Sequence, residues 1–342
     1  MSKENIGVIL VNLGTPESPS TGAVWKFLRE FLSDRRVIDM PSLPWQLLLN
    51  TIILPLRSPR VARAYQSIWS ERGSPLRHFT QELAKGVNPS DIDEALSRGQ
   101  NQYDGIAPGS PDVSMVTTWA MTYGKPSIQT RVDDFAQQGI HKIIVIPLYP
   151  QFSSSTTGAV YDRLAEIARA SRNIPDLRCV NNYYDHPLYI EALAVSVNEH
   201  WQKFGRNDRL LMSFHGLPES YSVKGDPYIA QCHETAGLLA EALKLDGKEW
   251  AISFQSRFGL ARWAKPATTE VLVDWGQGGT KNIDVICPSF SVDCLETLEE
   301  VGQQYDKLFA QSGGLCMSLI PCLNISAPHI ALMEKLVDEH YW

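Results

Sequence analysis

Six short apolar runs recur along the chain, at 7–11, 113–118, 142–146, 209–214, 250–254 and 283–287. Such runs read as strands buried on both faces. Longer amphipathic stretches at 157–171, 189–204, 227–245 and 292–310 carry helical periodicity, and a weaker strand at 315–319 and a helix at 328–341 follow. Strand and helix alternating in this way admit few folds, because parallel strands need crossovers and the crossover helices then cover the sheet. Three strong strands precede residue 150 and three follow residue 205. The expected architecture is α/β: two similar Rossmann-like lobes, each a parallel sheet flanked by helices, with an active-site cleft between them. The linear boundaries expected are 1–150, 151–325 and a C-terminal helix, 326–342. Within the first lobe, residues 86–112 are polar and rich in Gly, Pro, Asp and Ser, and are expected as a surface excursion.

Composition removes several function classes. The net charge is -7 and no Lys/Arg run is dense enough to follow a phosphate backbone, so nucleic acid is not an expected partner. The opening "MSKENIGVILVNLG" reads as a first strand and not as a signal or transit peptide. No run reaches the roughly 18 to 20 apolar residues that span a bilayer. The longest candidate, "LPWQLLLNTIILPL" at 43–56, is interrupted by Pro44, Gln46, Asn50 and Pro55 and is expected as a core or lid helix. Six cysteines without a CxxC pair suit free thiols in a reducing, cytoplasmic setting, and no iron–sulfur cluster is expected.

Ligands of open parallel sheets bind beyond the carboxyl ends of the strands. Beyond the six runs stand "NLGTPESP", "WAMTYGKPS", "PLYPQFSSSTTG", "HGLPES", "QSRFG" and "PSFSVDCLETLEE", which hold nearly every unusual polar or aromatic residue of the chain. No GxGxxG follows the first strand, and no GxxxxGK[ST] or GxSxG is present. Nucleotide and α/β-hydrolase chemistry therefore lose their usual signatures. What stands out is His215, where an apolar strand stops, and Glu296 with Glu300, four apart on one side of a helix. One imidazole and carboxylates make an open, weak site for a first-row divalent metal. The same residues also fit a hydrogen-bonded loop histidine and a solvated helix face.

Taken together, "LVNLGTPESP", "FLSDRRVID", "LPLYPQFSSSTTGAV", "SFHGLPESY", "FQSRFG" and "CPSFSVDCLETLEE" resemble the ferrochelatases, above all those of proteobacteria. The resemblance implies insertion of Fe²⁺ into protoporphyrin IX, with release of two protons and no permanently bound cofactor. It places the catalytic roles on His215, Glu296 and Glu300, with His215 and Glu296 also contacting the metal. Porphyrin contacts fall on Leu13, Tyr123, Trp263 and Phe290, and the propionate side on Arg57, Tyr65 and Ser74. Two departures bear on the site. Thr122 stands where many relatives carry Arg or Lys, and Cys294 where animal relatives carry a second His; the chain also lacks their Cys-rich tail. A chelatase acting on a corrin precursor or coproporphyrin would share the His/Glu pair, whereas a porphyrin carrier would need the walls without it. The 43–56 segment, followed by Arg57, Arg60 and Arg63, suggests a peripheral contact with the inner face of a membrane.

Overall fold

A computed structural model describes residues 4–87, 113–258 and 261–342. Eight strands form two four-stranded sheets, all parallel. β1 (Glu4–Gly14), β2 (Val113–Tyr123), β3 (Lys142–Pro147) and β4 (Asp176–Cys179) lie in the order β2-β1-β3-β4. β5 (Arg209–His215), β6 (Trp250–Gln255), β7 (Asn282–Ile286) and β8 (Cys316–Leu319) lie in the order β6-β5-β7-β8, so the two sheets share one topology. The central strands β1 and β5 explain the uninterrupted apolar runs. Val8 to Val11 in β1 and Leu210 to Phe214 in β5 are buried whichever way each residue points.

The two sheets belong to two compact units, and three segments fall otherwise than the linear boundaries expected at 150 and 326. Ser154–Asn182 stays in the first unit, because β4 pairs with β3 from Lys142↔Asp176 to Val145↔Cys179. Ile330–Trp342 also belongs there. Arg178 Nη1 donates to the carbonyls of His340 and Tyr341 at 3.1 and 2.8 Å, and its guanidinium lies 4.4 Å from the Trp342 ring centre. Conversely, Tyr149–Ser153 joins the second unit, where Phe152 N–H donates to Gln231 at 2.7 Å and Ser153 to Asp226 at 3.0 Å.

Two helical regions depart from the α-helices expected. In the first unit Ser42–Leu48, a π-helical Leu49–Ile53 and Leu54–Ile68 follow one another without a break. Trp45 and Leu49 face inward, and Trp45 Nε1 donates to the Leu32 carbonyl at 2.7 Å. Leu43, Leu47, Leu48, Ile52 and Leu56 lie on the exposed side. In the second unit the helix expected at 292–310 starts later, as a π-helix, Glu296–Tyr305, and becomes α-helical only at Asp306–Gln311. The helix Pro75–Val87 takes in the first two residues of the segment expected as an excursion, whose other residues, 88–112, lie outside the described residues.

Candidate active site

The carboxyl ends of β5, β6 and β7 bring the second unit's singled-out residues to one sheet edge. β5 ends at His215, in register with Gln255, the last residue of β6. The His215 N–H donates to Ser289 Oγ at 3.0 Å, and Gly216 N–H donates to the Gln255 carbonyl at 2.8 Å. The half-buried imidazole is fixed by its own turn, with Nδ1 2.7 Å from the Gly216 carbonyl oxygen. A carbonyl only accepts, so Nδ1 carries the hydrogen and the neutral ring keeps its lone pair on Nε2. The Phe290 ring meets the imidazole edge-on, centroids 6.2 Å apart.

Trp263 packs under this turn. The "HGLP" backbone leans on it through a bridge between Pro218 and Trp263 and a 2.9 Å bond from Ala264 N–H to the Leu217 carbonyl. Trp263 is buried, its Nε1 donating to the Phe258 carbonyl at 3.0 Å, while the Phe258 ring beside it is exposed. A Cβ at Gly216 would stand 2.5 Å from the Gln255 carbonyl oxygen and 3.2 Å from Trp263 Cε3, which is why the turn needs glycine.

The two glutamates sit on the π-helix, whose i→i+5 bonding replaces the i→i+4 spacing expected. Gln255 Nε2 donates to the Glu296 carbonyl at 3.2 Å and so ties the start of this helix to β6. Its own Oε1 accepts from Ser213 Oγ at 2.8 Å. Asp293 holds the same end, accepting from Thr297 Oγ1 at 3.0 Å and from Asn324 Nδ2 at 2.7 Å. The Glu300 carboxylate accepts from Ser256 N–H at 3.1 Å, from Ser256 Oγ in a short contact, and from the Tyr305 hydroxyl at 2.7 Å. Ser256, Gln255, Ser289 and Tyr305 were not among the expected site residues. The first three lie at or just beyond strand ends, a signal available in the sequence. Tyr305 offers none, because in an α-helix it would not reach Glu300.

The first unit brings a second set to the ends of β1 and its neighbours. Leu13 is half-buried near the end of β1. Thr15 Oγ1 donates to Ser74 Oγ at 2.8 Å, joining the end of β1 to the start of helix Pro75–Val87. Arg57, half-buried, and Tyr65, buried, share helix Leu54–Ile68, with Tyr65 edge-on to Trp69 at 6.1 Å. Tyr123 is fully buried, its hydroxyl donating to Asp34 at 3.0 Å and its ring edge-on to Phe31 at 5.2 Å. Thr122 is likewise buried, bonding to the Asn12 carbonyl at 3.3 Å.

Cys287, Cys294 and Cys322 are buried, and burial pushes all three thiols well above their ordinary value. That suits inert packing thiols. Among the described residues no group of three or more His, Cys, Asp or Glu is placed to hold a metal ion.

The ferrochelatase family model matches residues 5–341. This chain belongs to the ferrochelatase family. It is 44% identical over 340 residues to the ferrochelatase of Photobacterium profundum, covering 99% of each chain. To the ferrochelatase of Nitrosococcus oceani it is 45% identical over 335 residues, covering 98% of this chain and 86% of the relative. Among solved structures, SirB from Bacillus subtilis with Fe3+ matches 99% of this chain and 95% of its own, with a TM-score of 0.54 at 14% identity. CbiX, described as the terminal enzyme for biosynthesis of sirohaem in denitrifying bacteria, matches 99% of this chain and 100% of its own, with a TM-score of 0.51 at 12% identity. At such identities the two likenesses show the fold alone. Ferrochelatase membership makes this an enzyme of metal insertion into a porphyrin for haem synthesis, with Fe²⁺ as substrate.

Proposed function

We propose that the chain inserts Fe²⁺ into protoporphyrin IX at the β5–β7 sheet edge, forming protohaem and releasing both pyrrole protons. The observation that carries this reading is the 2.7 Å contact between His215 Nδ1 and the Gly216 carbonyl oxygen. Nδ1–H is engaged by the Gly216 carbonyl, so the Nε2 lone pair is the one available to take a pyrrole proton or to meet the metal. Trp263 and Phe290 supply apolar walls that grip and bend the flat ring, with the strain drawn from binding energy spread over the macrocycle. Glu296 meets Fe²⁺ or takes a proton, and Glu300, one turn further on, moves protons away or steers Fe²⁺ in. The resemblance assigns Leu13 and Tyr123 to the ring, and Arg57, Tyr65 and Ser74 to the propionate side, Arg57 as a charge-assisted donor. Anaerobic initial rates with Fe²⁺ test the reading. Protoporphyrin IX is expected to turn over at least about tenfold faster, in kcat/KM, than coproporphyrin III, a discrimination of roughly 1.4 kcal/mol. The reverse preference would reassign the substrate, and tight porphyrin binding without turnover would make the chain a carrier.

The reading extends to location: a cytoplasmic protein held peripherally at a membrane. No helix among the described residues is long and apolar enough to cross one. The exposed Leu43, Leu47, Ile52 and Leu56, followed by Arg57, Arg60 and Arg63, instead suit shallow insertion with basic contacts to anionic headgroups. Co-sedimentation with vesicles containing phosphatidylglycerol should fall several-fold when those four apolar residues are changed to Ser. Equal sedimentation of the variant and the wild type would end the idea.

A further inference from the structure

We infer that Ser256 and Tyr305 are positioning residues which fix the Glu300 carboxylate so that one acceptor position, on Oε2, is left open. This rests on the reading of Glu300 as a group that handles protons or Fe²⁺.

An ionised carboxylate has about four acceptor positions, two on each oxygen. Oε1 has both filled, by Tyr305 Oη at 2.7 Å and Ser256 N–H at 3.1 Å. Oε2 has one filled, by Ser256 Oγ. Ser256 N–H is also within 3.4 Å of the Tyr305 hydroxyl, so the three groups form a closed triangle around Oε1. The one remaining position fixes the direction from which a proton or a metal ion reaches this residue.

Both supports are built in ways that ordinary packing does not require. Ser256 has φ 63°, a left-handed conformation that a non-glycine residue adopts only at a cost. That turn, coming directly after β6, lets one residue aim both its N–H and its hydroxyl at the same carboxylate. Tyr305 depends on the π-helix. In an α-helix a residue five positions on lies about 140° around the axis and could not reach Glu300. The wider i→i+5 turn brings the two together. The Tyr305 ring is anchored among Val285, Cys287, Val301 and Phe309, and burial with the nearby Glu300 pushes its hydroxyl well above the ordinary value. It therefore stays a donor at working pH.

The test compares wild type, Tyr305→Phe, Ser256→Ala and Glu300→Gln, with each of the first two also placed in the Glu300→Gln background. Anaerobic rates with protoporphyrin IX are measured as Fe²⁺ is varied, with melting temperature as the folding control. Tyr305→Phe and Ser256→Ala should each lower kcat/KM for Fe²⁺ about tenfold, the scale of a lost hydrogen bond to a charged group. A rise in KM marks steering of Fe²⁺ and a fall in kcat marks proton transfer. In the Glu300→Gln background the same changes should cost less than about twofold, since the group they position has already lost its charge. Impaired Glu300→Gln beside unimpaired single variants overturns the inference alone, as does a full additive loss in the combined variants. Wild-type turnover by Glu300→Gln overturns the role of Glu300 and the inference with it.

Discussion

Changing His215 to Ala is expected to lower kcat for haem formation about 10³-fold, within the range for a positioned acid–base group, or about 4 kcal/mol of barrier. The expectation follows from what the side chain contributes and what it does not. Its imidazole gives the fold a single local bond, Nδ1 to the Gly216 carbonyl, whereas the backbone N–H bond to Ser289 survives in alanine. The loss should therefore fall on chemistry and leave folding and binding largely intact. Porphyrin affinity, read by quenching of porphyrin fluorescence, should stay within about threefold, because most binding energy comes from apolar walls that remain. Glu296→Gln should lose about 10²-fold in kcat with the same retained binding, since the amide keeps the shape and removes the charge. A His215→Ala enzyme within threefold of wild-type kcat would remove His215 from the mechanism. Equal losses of binding and rate would turn it into a structural residue.

The part of the fold legible in the sequence is the part set by burial. β1, β3, β5 and β7 carry unbroken apolar runs because helices cover both faces of their sheets, and those runs fix which loops share an edge. β4 was not legible: "DLRC" is a short strand with little buried surface, and only its pairing with β3 makes it one. Nothing between 150 and 182 advertises that the chain returns to its first sheet, so the boundary expected at 150 leaves Ser154–Asn182 on the other side. Tyr123 shows the same limit. Its position at a strand end is visible in the sequence, but not that its side chain turns toward Phe31 and Asp34. The strand-end position of His215 and the helical position of Glu296 were legible in the residue pattern, whereas their roles come from the family resemblance alone. The cradle of Glu300 was not legible, because it depends on a π-helix and a left-handed serine, and neither has a distinctive residue pattern. Propensity rules read local preference, and both features go against it.

The second large effect belongs to the glycines that end the central strands. Gly14 has φ 126°, and a Cβ there would lie 1.9 Å from the Tyr123 carbonyl oxygen, with which it is in register across the β1–β2 pair. Neither strand can easily retreat: β1 is paired on both sides up to Val11, three residues before Gly14, and Tyr123 is pinned by Asp34 and Phe31. Gly14→Ala thus combines a forbidden backbone conformation with an overlap against main chain. It should cost about 4 kcal/mol or more, a fall in melting temperature on the order of 10 °C. Gly216→Ala should behave differently. Its Cβ would meet the Gln255 carbonyl at 2.5 Å and Trp263 Cε3 at 3.2 Å, but its φ is not in the left-handed region, and beyond His215 the turn is held to its neighbours by only a few bonds, among them Gly216 N–H to the Gln255 carbonyl and Ala264 N–H to the Leu217 carbonyl. The turn can shift, and in shifting it carries the Gly216 carbonyl that orients His215. The expected result is a melting temperature within a few degrees of wild type and kcat lower by 10²-fold or so, since a misplacement of about 1 Å is enough for that. Thermal melts and anaerobic turnover on the two variants separate the cases. If Gly216→Ala were fully active, the turn would not be what aims the imidazole. If Gly14→Ala melted with wild type, the β1–β2 register at that strand end would be wrong.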